Sequence, residues 1–191
     1  MNETFLAIIN PAAGGGCARE SVGAALERLR VAGIAVETVE TSAAGEATQI
    51  ARGAYRRGYR KFIAVGGDGT SFEIVNGLFP ESQATGPSQA AASSEDAIAT
   101  LGFLPLGTGN SFLRDFEEPD SSGEAKGLEH ALQTLEERRA RPCDVLRLTH
   151  KHGTIYFTNL LSMGFAADVA TLRHRRFRGF GQVGYLLSIF L

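Results

Sequence analysis

Lys61-Phe62-Ile63-Ala64-Val65-Gly66-Gly67-Asp68-Gly69-Thr70 is the stretch whose reading decides the fold. The apolar run up to Val65 is too short for a helix and rich in β-branched residues, so it predicts a buried strand that stops at Gly66. Three glycines within four positions free the backbone for positive φ and for close approach by another group, and the residue among them is a lone carboxylate, Asp68. After Thr70, the residues Phe72, Val75 and Leu78, with Ile74 beside them, recur at helical spacing, which predicts that a helix begins there. In an open α/β sheet, strand followed by glycine turn and helix places Asp68 at the carboxyl end of a strand. Such sheets bind their ligands there, beside helix N–H groups that attract phosphate. The same letters also fit an ordinary turn in which Asp68 or Thr70 caps the helix.

Two further stretches weigh against the ordinary turn. Asn10-Pro11-Ala12-Ala13-Gly14-Gly15-Gly16 follows the apolar run Phe5 to Ile9, and Pro105-Leu106-Gly107-Thr108-Gly109-Asn110 follows Leu101 to Leu104. Three glycine turns after three strands converge on one edge of a parallel sheet, each with unblocked backbone amides. The first turn is not a Walker loop, since no Gly-Lys-Ser/Thr follows, and it lacks the spacing of the dinucleotide fingerprint. It reads as a phosphate-cradling loop, with a flexible turn as the alternative.

Between these turns, Val22, Ala25, Leu26 and Leu29 predict a helix ending near Gly33, and Ile34 to Val39 a second strand. Thr41 or Ser42 is expected to cap the next helix, whose Ala47, Ile50, Ala51, Ala54 and Tyr55 face the sheet and which Gly58 closes. Thr41 also stands at a strand end, where its hydroxyl could meet a ligand. Most of the basic run Arg52, Arg56, Arg57, Arg60 and Lys61 falls on a helix face turned to solvent and reads as solvated. Glu73, about one turn from Asp68 and Thr70, is placed to orient the glycine turn or a polar ligand, with a solvent-facing role as the competing view. The stretch from Pro80 to about Thr100, rich in Ser, Ala, Gln, Gly and Pro, is expected to be a surface loop.

Leu128, Ala131, Leu132 and Leu135 predict a helix over roughly residues 124 to 140. Alternation then replaces helical spacing. Val145 to His150 and Thr154 to Thr158, joined by Lys151-His152-Gly153, predict a β-hairpin and a domain boundary near Pro142. The expected architecture is α/β: a parallel-sheet nucleotide-binding domain over residues 1–141, then the start of a mostly antiparallel β domain over 142–191.

A chain of 191 residues can bury a sizeable core, and its net charge of −2 argues against a general nucleic-acid binder. Cys17 and Cys143 have no metal-ligand spacing and are expected to be small buried hydrophobes. The four histidines give no metal constellation. No run reaches the length of a membrane span, and the start lacks a signal pattern, so the expected location is cytoplasmic, with contact at a membrane surface at most.

With these motifs in place, the chain resembles the catalytic domain shared by diacylglycerol kinases, sphingosine kinases and their bacterial lipid-kinase relatives. The residues that carry the resemblance are Asn10-Pro11 with Gly14, then Gly66 to Thr70 with Glu73, Asn76 and Gly77, and then Pro105 to Asn110. Asn159 to Val169 and Gly181-Gln182-Val183-Gly184-Tyr185 continue it, so it covers nearly the whole chain. It implies ATP in a cleft between an α/β domain and a β domain, Mg²⁺ as companion ion, and phosphoryl transfer to a lipid hydroxyl. By position it puts Asn10, Pro11, Ala12, Ala13, Gly14, Thr41, Gly67, Asp68, Gly69, Thr70, Ser71, Phe72, Glu73 and Thr108 around the nucleotide. Asp68 is the implied catalytic carboxylate, and Asp168 matches a carboxylate that contacts the lipid headgroup. Arg173, Arg175, Arg176 and Arg178 could approach phosphates or an anionic membrane.

The chain departs from the family in three places. Ser111 stands where bacterial relatives commonly carry Asp, the loop from Glu81 to Thr100 is long, and the apolar end at Gly184 to Leu191 falls inside the second domain. A truncated chain is therefore expected, inactive by itself and prone to self-association through uncovered apolar surface. The acceptor alcohol stays open. Two alternatives stand beside the lipid kinase: a NAD kinase, whose Gly-Gly-Asp-Gly turn is similar, and a non-catalytic nucleotide-binding module.

Overall fold

The computed structural model describes residues 4–16, 18–79, 98–107, 110–114 and 127–159. Four strands, β1 (Phe5–Ile9), β2 (Val36–Glu40), β3 (Lys61–Gly66) and β4 (Thr100–Pro105), form one sheet in the order β2-β1-β3-β4. All pairings are parallel: Phe5 and Ile9 of β1 face Lys61 and Val65 of β3 and Val36 and Glu40 of β2, while Gly66 faces Pro105. This register aligns the carboxyl ends of all four strands at one edge.

Helices α1 (Ala18–Val31), α2 (Glu46–Arg56) and α3 (Asp68–Leu78) make the connections. A short α4 (Ser111–Arg114) and then α5 (Gly127–Glu136) come after β4. Because strand side chains alternate, the sheet feeds two separate cores. Ala7, Ile9, Ile63, Val65 and Leu104 pack against Val22, Ala25, Leu26 and Leu29 of α1 and against Leu132 and Leu135 of α5. Leu6, Ile8, Phe62 and Ala64 pack on the other face against Ala47, Ala51, Ala54 and Tyr55 of α2 and Ile74 and Leu78 of α3. The helices thus change faces between the first and second crossovers, and the switch falls between β1 and β3, where a doubly wound sheet opens a crevice.

Arg28 ties α1 to α5: its guanidinium bonds Glu136 at 2.5 and 3.0 Å and Glu129 at 2.7 and 2.8 Å. Those two carboxylates hold the Arg28 charge more firmly than usual, and Arg28 in turn pulls the Glu136 carboxyl below its ordinary range. On the opposite face Gly77 lets α3 settle onto α2. A Cβ there would lie 2.5 Å from the Thr48 carbonyl oxygen and 2.8 Å from the Ala51 methyl.

Strands β5 (Leu146–His150) and β6 (Gly153–Phe157) form the expected antiparallel hairpin, with Leu146 opposite Phe157. It packs on α3 through the Asn76 side chain. This amide accepts from the backbone N–H of Tyr156 at 2.9 Å and donates to its carbonyl at 2.8 Å, as a neighbouring strand would. The Tyr156 ring stacks on Phe79 with centroids 4.7 Å apart.

Several local expectations are corrected. α3 starts at Asp68 rather than after Thr70, with Gly67 as its N-cap, because a Gly-Asp-Gly run tolerates helical φ and ψ once the turn behind it is closed. α2 begins at Glu46 behind a left-handed Gly45, with no side-chain cap from Thr41 or Ser42. Arg52 and Arg60 are not simply solvated: Arg52 donates to the Asn76 carbonyl, and Arg60 lies 4.0 Å over the Tyr55 ring. Cys143 is exposed rather than buried, and Cys17 lies outside the described residues. No helix among the described residues is long and apolar enough to cross a membrane.

Candidate active site

The three glycine loops meet at the carboxyl edge of the sheet, at atomic contact. Gly14 has φ +59°, and a Cβ on it would sit 2.5 Å from the Leu106 carbonyl oxygen, so the first loop lies against the third. A Cβ on Gly107 would collide with the Gly67 Cα, and one on Gly67 would stand 3.1 Å from the Gly107 Cα, so the second and third loops touch backbone to backbone. The first and second are joined by the Asn10 amide, which donates to the Thr70 hydroxyl at 3.3 Å. Asn10 is itself fixed, because its side-chain oxygen accepts from Ala12 N–H at 3.0 Å and its own N–H reaches the Val65 carbonyl at 2.9 Å. Thr41 joins this edge from β2: its N–H donates to the Ile9 carbonyl at 2.8 Å and its hydroxyl to the same oxygen at 3.3 Å.

Asp68 stands in the first turn of α3, yet its carboxylate turns away from that turn. It accepts from the N–H of Ser111 at 3.0 Å and of Phe112 at 3.3 Å, capping α4. Among the described residues no side chain caps α3; the Thr70 N–H donates to the Gly67 carbonyl at 2.9 Å, and the amides ahead of it point out of the helix N-terminus. Thr70 and Ser71 are buried, and the Ser71 hydroxyl donates to the Asp68 carbonyl at 2.9 Å. Gly69 and Ala12 are exposed, Pro11 and Ala13 half-buried, and Phe72 is 43% exposed.

Glu73 does not orient the glycine turn. Its two oxygens accept from Gly45 N–H at 2.8 Å and Ala47 N–H at 3.1 Å, which caps α2 across the helix interface. Glu46 completes that loop, accepting from the Ser42 amide at 2.6 Å, the Ser42 hydroxyl at 2.8 Å and the Ala43 amide at 3.2 Å. These donors, the Ser42 amide foremost, hold the Glu46 carboxyl below the usual carboxylate range.

Asn110, with φ +50°, locks the third loop by donating to the Gly107 carbonyl at 2.8 Å and the Pro105 carbonyl at 3.4 Å. Its Oδ1 is buried without a partner among the described residues, beside a void of about 10 Å³ lined in part by Gly66, Gly67, Asp68 and Asn110, room for a single water. In sequence, Asn76 and Asn110 are motif letters without an assigned role. A signal existed for each: an amide side chain offers a donor and an acceptor to backbone that no strand partner satisfies. Thr108, Asp168 and the arginines from 173 to 178 lie outside the described residues.

A glycine-lined crevice at the switch point of a parallel sheet limits the family, and comparison decides it. Residues 4–148 match the family model of the diacylglycerol kinase catalytic domain. The chain belongs to the diacylglycerol kinase catalytic-domain family. Similar relatives of this catalytic domain include a diacylglycerol kinase of Bacillus subtilis strain 168, 32% identical over 82% of this chain and 44% of that protein. A protein of Chromohalobacter salexigens named "Probable lipid kinase YegS-like" is 37% identical over 79% of this chain and 40% of its own length. Among solved structures, a diacylglycerol kinase from Bacillus anthracis strain Sterne superposes with a TM-score of 0.56 at 27% identity, covering 75% of this chain and 45% of that one. The chain therefore spans less than half the length of these relatives. None of these matches is to a NAD kinase.

Proposed function

We propose that this catalytic domain binds ATP at the glycine edge and supports transfer of its γ-phosphoryl group to a lipid hydroxyl. The observation that carries the reading is the N-terminus of α3: it has no side-chain cap, and three glycine loops in mutual contact surround it. Such an end is electropositive and free of bulk, which suits a polyphosphate. Phosphoryl transfer asks little covalent chemistry of the protein, so positioning and neutralisation of charge are the main tasks.

Each residue has a task in this reading. Asn10 and Thr70 hold the first two loops at a fixed separation, and Asn110 and Asp68 hold the third loop and α4 against them. Pinned by two amides, the Asp68 carboxylate has a fixed place from which to orient the acceptor hydroxyl or meet a water of Mg²⁺. The described residues hold no cluster of three or more His, Cys, Asp or Glu side chains. Mg²⁺ enters this reading as the companion ion of the nucleotide's phosphates. When bound, Mg²⁺ would supply charge neutralisation on those phosphates.

The test has two parts. Titration of this chain with ATP should perturb the amides of Gly67 to Ser71, of Asn10 and of Ala12 to Gly14; no change there would end the nucleotide reading. Full-length protein given labelled ATP, Mg²⁺ and a panel of lipid and non-lipid alcohols should label a lipid, and Asp68→Asn should reduce the rate at least about 100-fold. Wild-type transfer by the Asn variant would remove Asp68 from the mechanism.

A further inference from the structure

The flank where α2, α3 and β6 meet carries an open cavity of about 420 Å³, lined by Thr48, Arg52, Asn76, Phe79, Thr154 and Tyr156. Asn76 stands eight residues beyond Asp68 on α3, about 12 Å along the helix axis, so this space is separate from the glycine loops.

Most of its polar groups are committed. The Asn76 amide is used by Tyr156 and by the Phe72 carbonyl, the Thr48 hydroxyl donates to the Glu73 carbonyl, and the Thr154 hydroxyl pairs with that of Thr149. Arg52 is the exception. One terminal nitrogen donates to the Asn76 carbonyl at 3.1 Å, while Nε is buried with no partner. The ion pairs among the described residues do not include it. Among the described residues no carboxylate pairs with this half-buried guanidinium, so its remaining terminal N–H groups are left for an anion that enters the pocket.

The chemistry of an occupant follows from the walls. The volume is of small-molecule size, larger than a bare phosphate needs. The guanidinium fork matches phosphate oxygens, and the stacked rings of Phe79 and Tyr156 offer an apolar surface to an organic group. We propose that this cavity binds a phosphomonoester, with Arg52 on the phosphate and Phe79 and Tyr156 against the organic part. The ester could be soluble or a lipid headgroup, since both present the same dianion.

The test titrates glycerol 3-phosphate into the chain while amide NMR shifts are followed. Saturable shifts are expected at Arg52, Phe79 and Tyr156, with affinity at least tenfold lower in Arg52→Gln and intermediate in Arg52→Lys, which keeps the charge and loses the fork. Circular dichroism checks each variant, and if the Gln variant unfolds, the Lys variant carries the comparison. Flotation with phosphatidylcholine vesicles, with and without phosphatidate, separates the sources. Arg52-dependent binding to phosphatidate vesicles alone assigns a lipid headgroup; Arg52-dependent binding of glycerol 3-phosphate assigns a soluble ester. Binding of neither probe, equal affinity in the Arg52 variants, or shifts confined to Gly66–Ser71 would overturn the proposal.

Discussion

The two ends of α3 solve different problems with different materials. At its N-terminus the three loops come together because side chains are missing: Gly14, Gly67 and Gly107 allow backbone to lie on backbone, and the helix end is left uncapped. Along its flank the neighbours are held because side chains are present, with Glu73 capping α2 and Asn76 acting as a strand partner for β6. One region is built on space and the other on satisfied polar groups. A single added methyl should therefore damage the first, and a single removed amide the second.

The largest effect is expected from Gly107→Ala. Its Cβ would run into the Gly67 Cα, so the loops must part, and a displacement of about 1 Å at a positioned site can lower function by about 100-fold. ATP affinity of the variant, with circular dichroism to show that the sheet persists, measures it. Gly23→Ala is the control: no atom within 4 Å obstructs a Cβ there, and a helix interior gains about 0.5–1 kcal/mol from the change. If both variants bind ATP as wild type does, the close approach of the loops is not what the site depends on.

Asn76→Ala tests the other region. It leaves the N–H and C=O of buried Tyr156 without their partner, which should cost about 2–3 kcal/mol in urea unfolding. Asn76→Asp should be no better, because it replaces the donor that serves the carbonyls of Phe72 and Tyr156 with a second acceptor. Wild-type stability in both would mean that the hairpin is held by its Phe79 stacking alone. Next in size is Glu73→Gln, which keeps one acceptor for α2 but loses the other and the negative charge at a helix N-terminus, about 1 kcal/mol in the same measurement.

The same division explains what could be read in the sequence. Strands β1, β3 and β4 were legible because an apolar run stopped by glycine or proline has few other interpretations, and their parallel order followed from the helical spacing between them. Convergence of the loops was legible for a similar reason, since glycines clustered at three strand ends have little to do except approach something. Side-chain direction was not. From Asp68 and Glu73, five residues apart on one helix, nothing local shows that one carboxylate turns to α4 and the other to α2. The sequence places the start of α3 three residues late because glycines signal a turn more strongly than a helix. The Arg52 flank reads as solvated in sequence because the hairpin that lines it lies about a hundred residues away.

The smallest predicted effect sharpens the contrast through its sign. The Glu46 carboxylate gathers the Ser42 amide, the Ser42 hydroxyl and the Ala43 amide, and these donors depress its pKa in the folded chain. A depressed carboxyl contributes stability that is fully present above its unfolded value, roughly 4.3, and is lost as pH falls through the lower folded value. The Tm difference between wild type and Glu46→Gln should thus be present at pH 6 and shrink toward zero in strong acid. Glu136, depressed by Arg28, titrates in the same window, and salt separates the two. Its partner is a charge, so molar salt weakens the α1–α5 clamp, whereas Glu46 bonds neutral amides and a hydroxyl and should hardly respond. A Glu46→Gln difference that persists unchanged in acid, or that vanishes in salt at pH 6, would show that the loop ahead of α2 is not held by that carboxylate.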